Sequence, residues 1–208
     1  MSTPLRAFSR GLELTGKSKQ KYTLLEPLLH REEKPSNVWS AARENDPTDQ
    51  FIIKQPDTDD GPEWPYFTKE MEMQELFRKS HYIRRIVDVI PPSLDSEPPC
   101  MVLEAFEESL WSARLRRPFS LGEIRSVMRS VAIGLGIIHC KNLVHTGSLC
   151  RHYLSILCVC VCTDTILDIK MENILVTGFD NDTPSDGEIL VTKIADLGMG
   201  ALFPPFAA

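Results

Sequence analysis

Two short stretches decide how this chain reads: Asp168-Ile-Lys-Met-Glu-Asn-Ile-Leu175 and, further on, Lys193-Ile-Ala-Asp-Leu-Gly198. The first sets a carboxylate, an ammonium and an amide in one polar run that passes into apolar Ile174 and Leu175. The second carries an apolar strand end into Asp196 and a glycine turn. Carboxylate and amide oxygens are the hard donors that Mg2+ prefers.

Upstream, the patterning is that of an antiparallel sheet interrupted by one helix. Tyr22-Thr-Leu-Leu-Glu-Pro-Leu-Leu, Asn37-Val-Trp-Ser-Ala-Ala and Phe51-Ile-Ile-Lys54 read as strands separated by polar turns. Residues 55–65 are rich in Pro, Asp and Gly and read as a loop, whereas residues 68–79 have helical composition. Residues 83–90 and 100–106 read as two further strands. Ser120 and Glu123 form an S-x-x-E capping box, and Leu121, Ile124, Val127, Met128, Val131, Leu135 and Ile138 recur at three- and four-residue steps, which predicts a helix with one buried stripe. Residues 1–20 are polar and aperiodic and read as a loose, disordered tail.

Composition narrows the function class. The net charge of -6 argues against nucleic acid as the main partner, because phosphate binding needs a clustered surplus of Lys and Arg. The short basic groups 84–85 and 114–117 read as solvated surface. No run of 18 apolar residues is present to span a bilayer, and residues 1–20 lack the apolar centre of a signal peptide, so the expectation is no membrane partner and a cytoplasmic or nuclear address. Four of the six cysteines fall between positions 150 and 162, unlike a secreted disulfide framework, and reduced thiols are expected.

Taken in order, these segments resemble the eukaryotic protein kinase family. The resemblance implies an α+β, bilobal fold: a small lobe with hinge over residues 21–106, and a partial helical large lobe over residues 107–208. It implies ATP and Mg2+ as cofactors and a protein Ser/Thr hydroxyl as substrate, since Lys170 follows Asp168 by two. Phe51-Ile-Ile-Lys54 is similar to V-A-I-K, which makes Lys54 the phosphate-reaching lysine. Its helix partner would be Glu70, because Met73 and Phe77 then share its face; Glu72 is the alternative. Met101-Val-Leu-Glu-Ala-Phe106 is similar to the strand and hinge that hold adenine. It implies Leu103 as gatekeeper and backbone groups of Glu104 and Phe106 toward the base, with Val38, Ile52 and Leu175 completing the ATP-binding set. Asp168 would be the catalytic base, Lys170 a phosphate contact, and Asn173 and Asp196 the metal ligands. Leu197 replaces the commoner Phe of D-F-G, as in the SR-protein kinases.

Several features depart from the family pattern. Aligning Val38 with the valine of G-x-G-x-x-G-x-V puts Arg31, Glu33 and Ser36 at glycine positions, where side chains hinder close approach of backbone N–H groups to phosphate; weak nucleotide affinity is expected. That departure favours an alternative reading, a non-catalytic pseudokinase-like binding module. Thr146 stands where many kinases have the arginine that pairs with a phosphorylated loop. His145-Thr146 is separated from Asp168 by the 21 residues 147–167, where the kinase pattern has the histidine two residues before the aspartate. Cys158, Cys160 and Cys162 in that segment alternate but lack the paired C-x-x-C loops of structural zinc. Ten residues follow Gly198, with no A-P-E. Leaving the Ser120 helix stripe uncovered would cost roughly 10 kcal/mol, comparable to a domain's whole stability of about 5–15 kcal/mol, so marginal stability is expected.

Residues 147–167 read as a translated intron: with Gly147 encoded by GGT and a Leu167 codon ending in A, a GT within the glycine codon and an AG shared with Asp168 would delimit a frame-preserving unit of 21 residues. Sequencing the messenger should therefore find a spliced form encoding His-Thr-Asp-Ile-Lys-Met-Glu-Asn; unspliced reads across these codons in every sample would refute it.

Overall fold

Side chains directed alternately to two faces, with apolar residues on both, build the sheet of the first unit. The computed structural model describes residues 6–28, 35–44, 46–57, 64–94, 97–141, 143–145, 170–179, 190–197 and 200–202. It divides into two compact units: Met1–Lys79 with Arg84–Ala105, and Ser80–Ile83 with Phe106–Ala208.

In the first unit, strands β1 (Glu13–Thr15), β2 (Lys21–Pro27), β3 (Val38–Arg43) and β4 (Asp46–Lys54) are followed by helix α1 (Pro65–Leu76) and strands β5 (Ile86–Ile90) and β6 (Cys100–Glu104). They form one sheet in the order β1-β2-β3-β4-β6-β5, every pair antiparallel. Residues of period two then separate cleanly. Trp39, Ala41, Phe51, Ile53, Val102 and Cys100 meet Leu14, Tyr22 and Leu24 in one core cluster, while Ile86, Met101 and Leu103 meet Phe67 of α1 in another.

The expected loose tail is corrected by this packing. Residues 13–15 are strand, Leu14 is buried, and Phe8 stands edge-on to Trp39 at 6.3 Å. Aperiodic polarity misses such a segment because only a few side chains dock while the rest face solvent. The following turn is pinned by Asp88, which is buried on β5. It accepts the Ser18 hydroxyl and amide N–H and the Tyr22 hydroxyl. Burial, and then the Asp88 charge, push the Tyr22 phenol up to about 12, so it remains a donor.

The second unit contains β7 (Glu108–Ser109), α2 (Leu110–Arg116), α3 (Leu121–His139), β8 (Leu143–His145), a 3-10 turn (Met171–Asn173), β9 (Ile174–Thr177), β10 (Val191–Ile194) and β11 (Gly200–Leu202). Strands pair as β10-β9-β7 and β11-β8. Ser80–Ile83 belongs here rather than to β5: Ile83 bridges Ile194, and the Tyr82 carbonyl accepts the Ile194 N–H at 2.9 Å. The strand expected from residue 83 therefore begins only at Ile86.

Helix α3 has the predicted capping box: Ser120 N–H donates to Glu123 Oε2 at 2.7 Å and Glu123 N–H to Ser120 Oγ at 3.2 Å. Its stripe is corrected in part. Glu123, Val127, Val131, Gly134 and Ile138 are buried, whereas Leu121, Ile124 and Met128 are 62%, 46% and 64% exposed. The apolar residues occupy two adjacent rows, and residues of α2, β9 and β10 cover one of them. Gly134 marks the closest approach, since a Cβ there would lie 2.8 Å from Ile194 Cδ1. In the basic run 114–117, Arg114 and Arg116 are exposed as expected, Arg116 pairing with Glu108, whereas Arg117, 12% exposed, holds Glu123 at 2.7 Å and lies over the Phe179 ring.

Removing the cap with Ser120→Ala should cost about 1 kcal/mol in urea unfolding. The Arg117 guanidinium, and then the Ser120 N–H, hold the Glu123 carboxyl below its ordinary value. Its stabilisation is thus complete above the unfolded carboxylate range and lost as pH falls through the lowered value. The cost of Arg117→Met should therefore be large at neutral pH and shrink on acidification.

Candidate functional site

Sheet register gathers the candidate residues of the first unit. Val38 lies opposite Lys54 across β3 and β4, and Ile52 lies opposite Leu103 across β4 and β6. Cross-strand partners share a face, as do residues two apart. Val38, Ile52, Lys54 and Leu103 therefore occupy one face of the sheet, the face against which Phe67 of α1 packs. Leu103 is buried, and Val38 and Ile52 are half-buried.

Helix α1 delivers Glu70 to that face. Lys54 Nζ lies 2.5 Å from Glu70 Oε1 and 2.6 Å from Oε2, with the two side chains 25% and 10% exposed. Glu72, the alternative, points to solvent. Phe67, Glu70, Met73 and Gln74 form the buried row of the helix, so the i+3 relation between Glu70 and Met73 selects the carboxylate.

At the end of β6, Glu104 is more heavily engaged than expected. Its N–H donates to the Arg85 carbonyl at 3.2 Å, its own carbonyl accepts Arg84 Nε at 3.0 Å, and its carboxylate takes the Arg85 N–H and Nε. The Arg84-Arg85 pair that reads as surface charge thus brackets this residue. A carbonyl oxygen has two lone pairs, and Arg84 occupies one of them.

The second unit assembles a separate set of the candidate residues. Antiparallel pairing sets Ile174 opposite Ile194 and Leu175 opposite Lys193. One step beyond the ladder, Ala195 N–H donates to the Asn173 carbonyl at 2.8 Å, which brings the residue before Asp196 alongside Asn173. Asp196 is exposed and has φ of 60°. Left-handed backbone is unfavourable for residues with a Cβ, with Asn and Asp the usual exceptions, and such outliers cluster at functional sites. The backbone bond brings Asn173 and Asp196 near each other, and amide and carboxylate oxygens are of the donor type that Mg2+ takes. Lys170, at the start of the 3-10 turn, is exposed. Phe106 is half-buried, with Lys193 Nζ 5.8 Å from its ring centroid; Lys193 itself is buried, a feature the sequence reading missed because a lysine in a K-I-A-D run reads as solvent-facing.

Asp168, Arg31, Glu33, Thr146 and residues 147–167 lie outside the described residues. Ser36 is half-buried, its hydroxyl bonded to the Val38 carbonyl at 2.8 Å. One further spacing, Gly11 to Ser18, fits G-x-x-x-x-G-K-S, but its context excludes a phosphate cradle. It forms the β1–β2 hairpin with no helix following, and the amides of Gly16, Lys17 and Ser18 are taken by Gln20, Val89 and Asp88.

Asp196→Asn should leave stability within about 0.5 kcal/mol of the parent, whereas Asp196→Val should lose about 1–2 kcal/mol from the left-handed backbone. Urea unfolding of the two variants checks the difference.

No family profile and no curated protein matches the chain. Among solved structures it is similar to one titled "Structure of vaccinia related kinase 3", at 18% identity and a TM-score of 0.55, over 96% of this chain and 54% of that one. The chain thus spans about half the length of that protein. Together with the antiparallel sheet and its single helix, the likeness shows an α+β, protein-kinase-like fold.

Proposed function

We propose that this chain carries the nucleotide-binding part of a protein kinase whose reaction moves the ATP γ-phosphoryl group to a protein Ser or Thr hydroxyl, and that the 208-residue product itself does not catalyse the transfer. The observation that supports this most is the half-buried Lys54–Glu70 pair on the sheet face shared with Val38, Ile52 and Leu103. An ammonium held by a carboxylate at a strand end is pre-oriented toward a triphosphate.

In this reading Lys54 and Glu70 position phosphate, while Val38, Ile52, Leu103 and Leu175 enclose the base beside the backbone of Glu104 and Phe106. Asp168 orients the substrate hydroxyl and Lys170 offsets charge on the moving phosphoryl. Asn173 and Asp196 hold Mg2+, which when bound supplies neutralisation of phosphate charge. Leu197 in place of the commoner Phe favours a likeness to the SR-protein kinases. Inactivity follows from residues 147–167, which separate His145 from Asp168 where in-line transfer tolerates only small misplacement. No helix among the described residues is long and apolar enough to cross a membrane, and a cytoplasmic or nuclear setting suits the cysteine pattern.

A second reading, a non-catalytic binding module, is favoured by Arg31, Glu33 and Ser36 at the glycine positions. Thermal unfolding with Mg-ATP separates the two. Nucleotide at 100 times Kd should stabilise the chain by about 2.7 kcal/mol, and Lys54→Met should abolish the shift. Absence of any shift in the parent chain favours the module.

A further inference from the structure

We infer that the segment around Arg6 is a strap that fixes the Lys54 end of β4, making Arg6 and Gln55 positioning residues for the phosphate-binding ammonium; this rests on the nucleotide-binding reading of Lys54. Lys54 is the last ladder residue of β4, paired with Val38 and Met101. Beyond it the strand would be free to fray, and fraying would carry the ammonium away from Glu70. Gln55 closes that end. Its N–H donates to the Asn37 carbonyl at 3.0 Å, and its own carbonyl accepts Asn37 Nδ2 at 3.3 Å. Its side chain, buried with the residue at 4% exposure, donates through Nε2 to the Arg6 carbonyl at 3.1 Å.

Arg6 is anchored in turn. Its guanidinium donates to Glu97 Oε2 at 3.0 Å, to Ser93 Oγ at 3.1 Å and to the Pro91 carbonyl at 3.3 Å, all in the connection between β5 and β6. The Arg6–Glu97 pair is 9% and 18% exposed, so it is much less screened than a surface pair. One residue thus ties the β5–β6 connection to the residue after Lys54. The other amide atom of Gln55, Oε1, is buried without a partner. A core amide kept with half its capacity unmet costs stability that an apolar side chain would not, which is consistent with retention of Gln55 for the strap contact.

The test uses the full chain. Amide hydrogen exchange at residues 52–55 and Mg-ATP titration are measured for the parent, Arg6→Ala, Arg6→Lys, Gln55→Leu and, as a control for general destabilisation, Ser120→Ala. Gln55→Leu removes the strap bond together with the orphaned oxygen, so it keeps the test alive if Arg6→Ala does not fold. Arg6→Ala and Gln55→Leu should speed exchange at 52–55 and weaken Mg-ATP binding about three- to ten-fold, with Arg6→Lys in between and Ser120→Ala changing neither. Unchanged exchange in both strap variants, an equal change in Ser120→Ala, or faster exchange with unchanged affinity would overturn the inference. A parent chain that takes up no Mg-ATP would instead remove the nucleotide reading, while exchange at 52–55 would still decide whether the strap holds the strand end.

Discussion

The ion pair between Lys54 and Glu70 is the constraint on which the first unit's functional face depends. Helix α1 is held also by apolar packing of Phe67 and Met73, with Trp64 and Met71 alongside, but its ends contribute little. Its N-cap residue, Trp64, is left-handed and makes no side-chain capping bond, no acidic residue occupies the first turn, and no basic residue occupies the last. Two of its four buried residues, Glu70 and Gln74, are polar, and Gln74 Oε1 has no partner. Phe67 supplies apolar attachment through its cluster with Ile86, Met101 and Leu103. A carboxylate at 10% side-chain exposure without its cation would carry an uncompensated charge into the interior, a loss of about 3–5 kcal/mol where such pairs are broken. Position of the helix and position of the ammonium are therefore coupled.

Strand alternation gives the sheet one core face and one face that carries the candidate residues. Its one face takes Phe51, Ile53, Trp39 and Val102 into a core closed by the N-terminal segment. Its other face takes Ile52, Lys54, Val38 and Leu103 toward α1. A one-residue slip of β4 would exchange the two sets, and the Asn37–Gln55 bonds at the end of the ladder oppose that slip. Strand register thus determines both the core and the placement of Lys54.

Much of this was legible in the sequence where a local signal existed. The S-x-x-E box at Ser120 and Glu123 forms as read, because both partners lie within one turn. Glu70 was preferred to Glu72 from helical periodicity, and the structure pairs it with Lys54. What was missed involves partners distant in sequence. Arg6 and Glu97 are 91 residues apart, and polarity alone made residues 1–20 look like a tail. Arg84 and Arg117 read as surface charge until Glu104 and Glu123 are placed beside them. Two adjacent apolar rows on α3 could not be told apart, because periodicity gives the face but not the width that neighbours cover.

The proposed site is unequally exposed to the irregularity at residues 147–167. The Asn173–Asp196 arrangement arises wholly downstream of them, from the β9–β10 ladder and the Ala195–Asn173 bond. The Lys54–Glu70 pair arises wholly upstream. Only Asp168 directly follows residues 147–167 in sequence, and in the proposed mechanism it is the group whose placement must be most accurate, since it acts on the proton of the attacking hydroxyl. Charge-holding contacts tolerate modest displacement because Coulomb attraction falls off as the inverse of distance, whereas hydrogen-bonded orientation of a nucleophile weakens steeply with angle. An insertion at this point therefore strikes the transfer step harder than it strikes nucleotide binding.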